Sequence, residues 1–544
     1  MKMSLSISSS HLTLTSLIFL SFSIAISIPI QNNFLQCLSS HFPTPSTDSQ
    51  LIYTPNTSSY TSILQSSIQN LRFLGPTTPE PLFIITPTNS SHIQASIICS
   101  RTHGLNIRVR SGGHDYEGLS YVHFNNASFI IIDLVDLRSI TVDLENQTMW
   151  VQSGATVGEV YYQIMQMNGS LAFPAGICST MGVGGHFGGG GLGTMMRKHG
   201  LAADNIFDAY LIDADGRLHD RKSMGEDLFW AIRGGGASSF GVILSWKIKL
   251  VHVPPTVTVF TISKTLEQGA TKLVERWQSI ADKFSEDLFI RLIIQPKGVV
   301  GQTSRTVKVL FNSLFLGTVE ELLPMMGKNF PELGLEQKDC LAMSWIESVL
   351  YFAGLPYGPG HSIDVLLDRG LQEKVFYKGK SDFVEEPISQ IGLEGIWERV
   401  LEEENMYMIM DPLGGRMSEI SAAEIPFPYR RGYLYNIQYM VRWGERDAGE
   451  GSKKHIDWIR RLYEYLGPHV SSSPRGAYLN YRDLDLGVNE EGNQSYSTAR
   501  IWGSKYFNGN FKRLARVKGV VDPTNFFRSE QSIPPLVGME EEIE

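Results

Sequence analysis

The chain has 544 residues, 42% hydrophobic and 19% charged, the composition of a soluble globular enzyme with room for two or more domains. A formal net charge of −9 argues against nucleic acid as a partner. Beyond the N-terminal leader no run is long and apolar enough to span a bilayer, which argues against a membrane role.

Residues 1–27 read as a signal peptide: Lys2 forms the positive n-region, 12–24 the apolar run, and Ala25-Ile26-Ser27 a small-x-small cleavage site. The expected destination is the secretory pathway, then the apoplast or cell exterior, or the vacuole. That context permits disulfides and glycans. Acceptor sequons begin at Asn56, Asn89, Asn126, Asn146, Asn168 and Asn493, which predicts a glycoprotein with those sites exposed. The cysteines are Cys37, Cys99, Cys178 and Cys340, and sequence alone does not choose among their pairings. Cys178 stands in a glycine-rich stretch where a reactive thiol is plausible. Cys340 precedes an apolar segment and reads as a buried free thiol. Cys37–Cys99 is left as the expected disulfide.

Residues 33–51 read as a short capped helix followed by a Pro/Ser/Thr loop, and 61–74 carry apolar residues at helical spacing. A strand is expected at 81–86, a helix at 91–103 ended by Gly104, and a strand at 107–110 that runs at once into SGGHDYEG. Another strand follows at 129–134, then a hairpin up to Trp150 and a helix at 158–168. Beyond the glycine-rich stretch come a hairpin over 205–217, a helical turn over 227–233 and a strand over 242–250. At Val253-Pro254-Pro255 the pattern changes. Strands at 257–263, 288–295, 306–314 and 433–442 alternate with helices at 266–284, 319–326 and 449–465. That is an antiparallel sheet with helices on one face, a second domain. A helix at 510–520 precedes the tail.

The stretch 175–200, AGICSTMGVGGHFGGGGLGTMMRKHG, organises the chain. Ten of its last 25 residues are glycine, but Cys178, Met181, Val183, His186, Phe187 and Leu192 are interleaved, unlike a flexible linker. The pattern predicts backbone folded closely onto a large flat ligand. It is neither GxGxxG opening a helix after a strand nor GxxxxGK[ST], so neither a Rossmann nor a P-loop site is expected.

Two long motifs, RSGGHDYEG at 110–118 and PAGIC at 174–178 running into GGHFGGG at 184–190, occur with NYRDLDLG at 480–487 and NFFRSEQSIPP near the C-terminus. Together they resemble the plant berberine bridge enzyme-like flavoproteins of the vanillyl-alcohol oxidase superfamily. That group includes the cannabinoid acid synthases and monolignol oxidases, with Diels–Alderases among its mulberry members. The resemblance spans the mature chain. It implies an α+β fold: a PCMH-type FAD-binding domain at 28–253, a substrate-binding domain at 254–470, and a C-terminal segment at 471–544 that returns to the FAD domain.

The resemblance also implies a bicovalent FAD, held by His114 at the flavin 8α-methyl and by Cys178 at C6. A neutral imidazole and a thiolate are the reactive forms such links require. The amides of Ser111, Gly112 and Gly113 would form a nest for the pyrophosphate. Arg110, Gly182, Gly184, Gly185, His186 and Asn480 are further cofactor-binding candidates. Tyr481 resembles the family's active-site tyrosine and candidate base, a role that needs a cation or the flavin to lower its pKa from about 10. Gln438 would point from the sheet toward the isoalloxazine. Alternation puts Met440 and Arg442 on the face of Gln438, and Arg291 on a second substrate-facing strand, where guanidinium groups would hold a carboxylate, phenolate or polarised carbonyl.

Three positions depart from the family pattern: Leu192 and Asn436, the latter a further catalytic-site candidate two residues before Gln438, replace the tyrosine and lysine of the monolignol oxidases, and Met181 replaces the small valine of the oxidases. The leading expectation is an FAD-linked oxidoreductase of plant specialised metabolism. It would oxidise a phenolic or prenylated molecule by proton removal at Tyr481 and hydride transfer to flavin, with oxidative cyclisation as the outcome. The alternative is a non-oxidative cyclase, an intermolecular Diels–Alderase in which the arginines polarise a carbonyl. Dioxygen is an expected acceptor in the first case, no metal is expected, and the chain is expected to be a monomer.

Overall fold

The computed structural model describes residues 30–42, 51–124, 127–167, 169–298, 305–490 and 495–537. The signal-peptide reading and the sequons at Asn126, Asn168 and Asn493 lie outside the described residues. Asn56, Asn89 and Asn146 are exposed. Cys37 and Cys99 form the expected disulfide, tying the helix over 30–41 to the helix Ser90–Thr102. Cys178 and Cys340 are free. Cys340 corrects the expectation of a buried thiol: it is half-buried on the edge strand Cys340–Met343, whose pattern leaves two neighbours exposed.

The first half holds two larger sheets and a two-stranded ribbon of Leu171–Ala172 with Val251–His252. One is ordered Ile52–Tyr53, Phe83–Ile85, Phe129–Asp133, Asn106–Arg110, with the last three strands parallel. Parallel strands covered on both faces read as unbroken apolar runs, as FIIID does at 129–133, where every residue is buried. Ile85, Ile130 and Ile132 pack with Phe34, Leu38 and Cys99, whereas Ile84 and Ile131 pack with Tyr60, Leu64 and Tyr121. The second sheet is antiparallel and ordered Ile140–Asp143, Thr148–Gln152, Val242–Lys249, Ile206–Ile212, Leu218–His219. Its Met149, Val151, Ala209, Leu211, Trp246 and Ile248 share a core with the C-terminal helices Tyr496–Phe507 and Asn510–Val521.

The second half is a seven-stranded antiparallel sheet in the order Cys340–Met343, Val257–Thr265, Arg305–Phe315, Leu288–Gly298, Met406–Pro412, Tyr435–Trp443, Phe376–Val384. The strands at 340, 376 and 406 are additional to those read from the sequence, as are the helices Trp345–Ala353 and Gln390–Val400. Ile290, Leu292, Ile294, Met408, Met410, Ile437, Tyr439 and Val441 are buried with Trp277, Trp397 and Trp458 of the helices Ala270–Ile280, Gln390–Val400 and Ser452–Leu466. Each such large side chain contributes about 1.5–3 kcal/mol by leaving water. The two-residue period of a strand then turns Phe289, Arg291, Tyr407, Ile409, Asp411, Gln438 and Met440 to the opposite face, the one without those helices. Among the described residues no helix is long and apolar enough to cross a membrane.

The segment after the last sheet helix closes the molecule. Tyr478 Oη accepts hydrogen bonds from the amides of Gly191 (2.8 Å) and Leu192 (3.2 Å), and Asn480 Nδ2 donates to His186 O at 2.9 Å. On its other side Asp483 is buried between Lys378 and Lys380 of the edge strand, 2.6 Å from each ammonium. Asp485 meets Lys380 at 2.9 Å and Arg460 at 2.6 Å. Three attractive partners hold Lys378 above its ordinary value, up to about 12, against the effect of burial.

Candidate active site

A cavity of about 500 Å³ lies between the glycine-rich layer, the helix-free face of the large sheet and the C-terminal segment. Its glycine wall is built by backbones in direct contact. A Cβ on Gly112 would stand 2.2 Å from Gly182 N, and one on Gly189 would stand 1.9 Å from Asn480 Oδ1. Side chains there would push the layers apart, which is why the sequence is glycine-rich at these points. Ser111, Gly112, Gly113, Gly182, Gly184, Gly185, His186 and Asn480 line the cavity. Ser111 is held by its hydroxyl, which donates to Ser153 O at 2.5 Å. His186 accepts the Gly176 amide at Nε2 (2.9 Å), and burial lowers its pKa to about 4, so it is a neutral brace of the cradle.

Arg110 is placed elsewhere. It is fully buried beneath the cradle, paired with Asp133 at 2.6 Å, the residue opposite it in the parallel ladder, and it donates to the carbonyls of Ile63 and Leu64. It does not line the cavity.

His114 and Cys178 both line it. Burial lowers the His114 pKa to about 4, which leaves a neutral imidazole at pH 7. Its Nε2 lies 3.0 Å from Thr180 Oγ1. The Cys178 thiol donates to Gln372 Oε1 at 3.3 Å. Met181 lines the same wall, its Cε where a Cβ on Gly176 would approach to 2.8 Å.

On the opposite side Tyr481 stacks on Tyr116, with centroids 5.7 Å apart and planes at 11°, and meets Tyr478 edge-on at 4.9 Å. Gln438 Nε2 donates to Tyr116 Oη. Tyr407 stands across the ladder from Met440. Tyr481 overturns one expectation. Burial first, then the Asp411 carboxylate, hold its hydroxyl well above the ordinary tyrosine value, with Arg291 acting only in the opposing sense. Arg291 lines the cavity but is not a free cation: one edge of its guanidinium is taken by Asp411, Nε to Oδ1 at 2.8 Å and Nη2 to Oδ2 at 3.0 Å. Arg442 reaches the cavity but is exposed at its mouth, where it donates to Tyr407 Oη at 3.2 Å.

Asn436 is a second correction. Although on the parity of Gln438, it is buried away from the cavity, donating through Nδ2 to Asp382 O at 2.9 Å. The edge strand captures it before it reaches the pocket. Leu192 lines the cavity wall. Tyr116, Tyr407, Asp411, Thr180 and Gln372 are the participants that the sequence reading did not single out. Only Tyr116 had a signal, two residues beyond His114 in the same motif.

Family models match residues 81–221 as an FAD binding domain and residues 477–534 as berberine and berberine like. The chain is 53% identical over 523 residues to a tetrahydroberberine oxidase of Berberis wilsoniae, covering 94% of this chain and 96% of that one. It is 52% identical over 520 residues to berberine bridge enzyme-like 23 of Arabidopsis thaliana, covering 94% and 95%. The solved structure of BBE-like protein 28 from Arabidopsis thaliana superposes with a TM-score of 0.86 at 49% identity, over 93% of this chain and all of that one.

Proposed function

Since the chain belongs to the berberine bridge enzyme-like family of FAD-linked oxidoreductases, we propose that it oxidises a small phenolic or prenylated molecule, with oxidative ring closure as the product-forming step. The observation that carries this reading is the aromatic wall. The stacked Tyr116 and Tyr481, with Tyr407, Ile409 and Met440, offer an apolar slot edged by phenol hydroxyls and by Gln438. Such a slot fits a flat, mostly apolar ligand with a few polar groups.

The residues present fit FAD. Glycine backbones abut where side chains would collide, and a neutral imidazole and a thiol face the same cavity. His114 and Cys178 would hold the flavin by two covalent links, and the 111–113 amides would receive its pyrophosphate. Bound FAD supplies a two-electron hydride acceptor. The protein's part is to orient the substrate against the wall that Tyr116, Tyr481 and Tyr407 form and to take its proton at Tyr481 Oη. Because burial and Asp411 keep that hydroxyl protonated, proton removal gains speed as pH rises. Arg442 at the mouth would receive an anionic or carbonyl group on the part of the substrate nearest solvent. The Cys37–Cys99 disulfide and the N-terminal leader support a place in the secretory pathway.

One observation favours the second reading, a non-redox [4+2] cyclase. A protonated Tyr481 and an arginine at the mouth that has no carboxylate partner among the described residues are hydrogen-bond donors of the kind that polarise a carbonyl. Anaerobic mixing of the yellow holoprotein with phenolic substrates decides between them. Loss of flavin absorbance is expected; product formed without bleaching refutes oxidation.

A further inference from the structure

Gln372 belongs to neither half's core. It sits on a strap, residues 368–375, that leaves the substrate half and is fastened along the cradle. Arg369 donates to Gly154 O, Lys374 Nζ donates to Gln65 O at 2.6 Å, and Val375 exchanges backbone hydrogen bonds with Gln69 and Leu71. The strap brings one side-chain amide oxygen against two groups at once. Gln372 Oε1 lies 3.3 Å from Cys178 Sγ and 3.4 Å from Thr180 Oγ1, and Thr180 Oγ1 lies 3.0 Å from His114 Nε2.

The donor inventory orders this chain. An amide oxygen only accepts. The Cys178 thiol and the Thr180 hydroxyl, themselves 3.5 Å apart, both donate to it in this arrangement. The threonine hydroxyl has one proton, and once that is committed to Gln372 it can only accept from His114. His114 therefore carries its proton on Nε2, which leaves the lone pair of Nδ1 free. We propose that Gln372 is a positioning residue for cofactor attachment: through Thr180 it fixes the His114 tautomer that can bond flavin, and directly it aims the Cys178 thiol. This rests on the covalent reading given above and names the residues that make it work.

Each link exchanges a flavin C–H and a residue N–H or S–H for a C–N or C–S bond. Two protons and two electrons leave together to dioxygen as hydrogen peroxide. On the histidine side the proton surrendered is the one on Nε2, facing Thr180.

The test uses the secreted holoprotein, denatured and examined by intact mass and by mapping of flavin-bearing peptides, with acid-extractable FAD measured in parallel. Wild type should carry one FAD linked at both His114 and Cys178. Gln372→Leu should lose most of both links, with total FAD, linked plus extractable, unchanged. Gln372→Glu retains an oxygen that only accepts, so the His114 link should persist. Its charge repels a thiolate beside it, so the Cys178 link should fall by about tenfold or more. Thr180→Val should lose the His114 link and Thr180→Ser should keep it, which separates the hydroxyl from simple packing. Full linkage at both residues in Gln372→Leu, or a His114 link surviving in Thr180→Val, overturns the proposal. A wild type whose flavin is entirely extractable overturns the covalent reading itself, and the proposal with it.

Discussion

Replacing Asp411 by asparagine isolates the electrostatics of the sheet wall. Arg291 and Asp411 are 7% and 4% exposed and meet through two hydrogen bonds of 2.8 and 3.0 Å. Asparagine keeps the shape and one acceptor but removes the charge, leaving Arg291 a buried cation without its counter-charge. Breaking a buried pair from one side costs about 3–5 kcal/mol, so the thermal midpoint should fall. The effect on Tyr481 has a definite sign. Asp411 opposes ionisation of its hydroxyl and Arg291 favours it. Removing the first and unmasking the second both stabilise the phenolate. An unbalanced neighbouring cation moves such a group by about 1–3 pH units, at about 1.4 kcal/mol each. A hydroxyl with a lowered pKa is ionised to a greater extent at any fixed pH. The alkaline rise in the rate of anaerobic flavin reduction should therefore shift to lower pH by about 1–3 units in Asp411→Asn. Rapid-mixing spectrophotometry across pH measures it. A profile that stays in place, or moves to higher pH, refutes the coupling between this ion pair and Tyr481.

Tyr481→Phe removes the proton acceptor and should lower kcat by roughly 10²–10⁴-fold. Arg442→Ala should raise KM more than it lowers kcat, and steady-state kinetics would show the reverse split in a non-redox cyclase. Met181→Val opens the wall over Gly176, so reduced enzyme mixed with air should reoxidise several-fold faster; an unchanged rate shows that access to dioxygen lies elsewhere. His186, neutral in the fold with a pKa of about 4 against an ordinary 6.5, adds stability that is full above about pH 6.5 and is lost as pH falls toward 4. Thermal midpoints should decline across that window, and His186→Gln should flatten part of the slope.

The site was legible wherever local chemistry carried it. The glycine-rich stretch announced close backbone approach, and the abutting Gly112 and Gly182 are that approach. The alternation of YNIQYMVRW correctly turned Gln438 and Met440 to one face. Alternation cannot say where along a strand the pocket ends, and Arg442 stands at the mouth; Asn436, a candidate by its place in the motif, has its amide captured by Asp382. Arg110 begins a motif whose next residues line the cavity, but its own fate is set by Asp133, opposite it across a ladder that joins distant segments. Asp411 was invisible for a related reason. Its strand, MYMIMDP, is dominated by methionines and was not recognised, and its partner Arg291 is 120 residues away. Gln372 lies in a stretch without periodicity, and its importance comes wholly from where the strap is fastened.

The lysine and aspartate contacts that clamp the 483–485 segment to the edge strand have a bearing on the order in which the protein is made. The glycine cradle and the sheet leave the ribosome well before Tyr478, Asn480 and Tyr481, which come from the last part of the chain. Until that part arrives, Gly191 and Leu192 lack the tyrosine hydroxyl that ties down their amides, and Lys378 and Lys380 lack Asp483. The contacts that close the cradle over its glycine wall are thus translated last. A message cut short before codon 478 would yield a cradle with no lid, Lys380 stripped of both aspartates and Lys378 left with Glu117 alone.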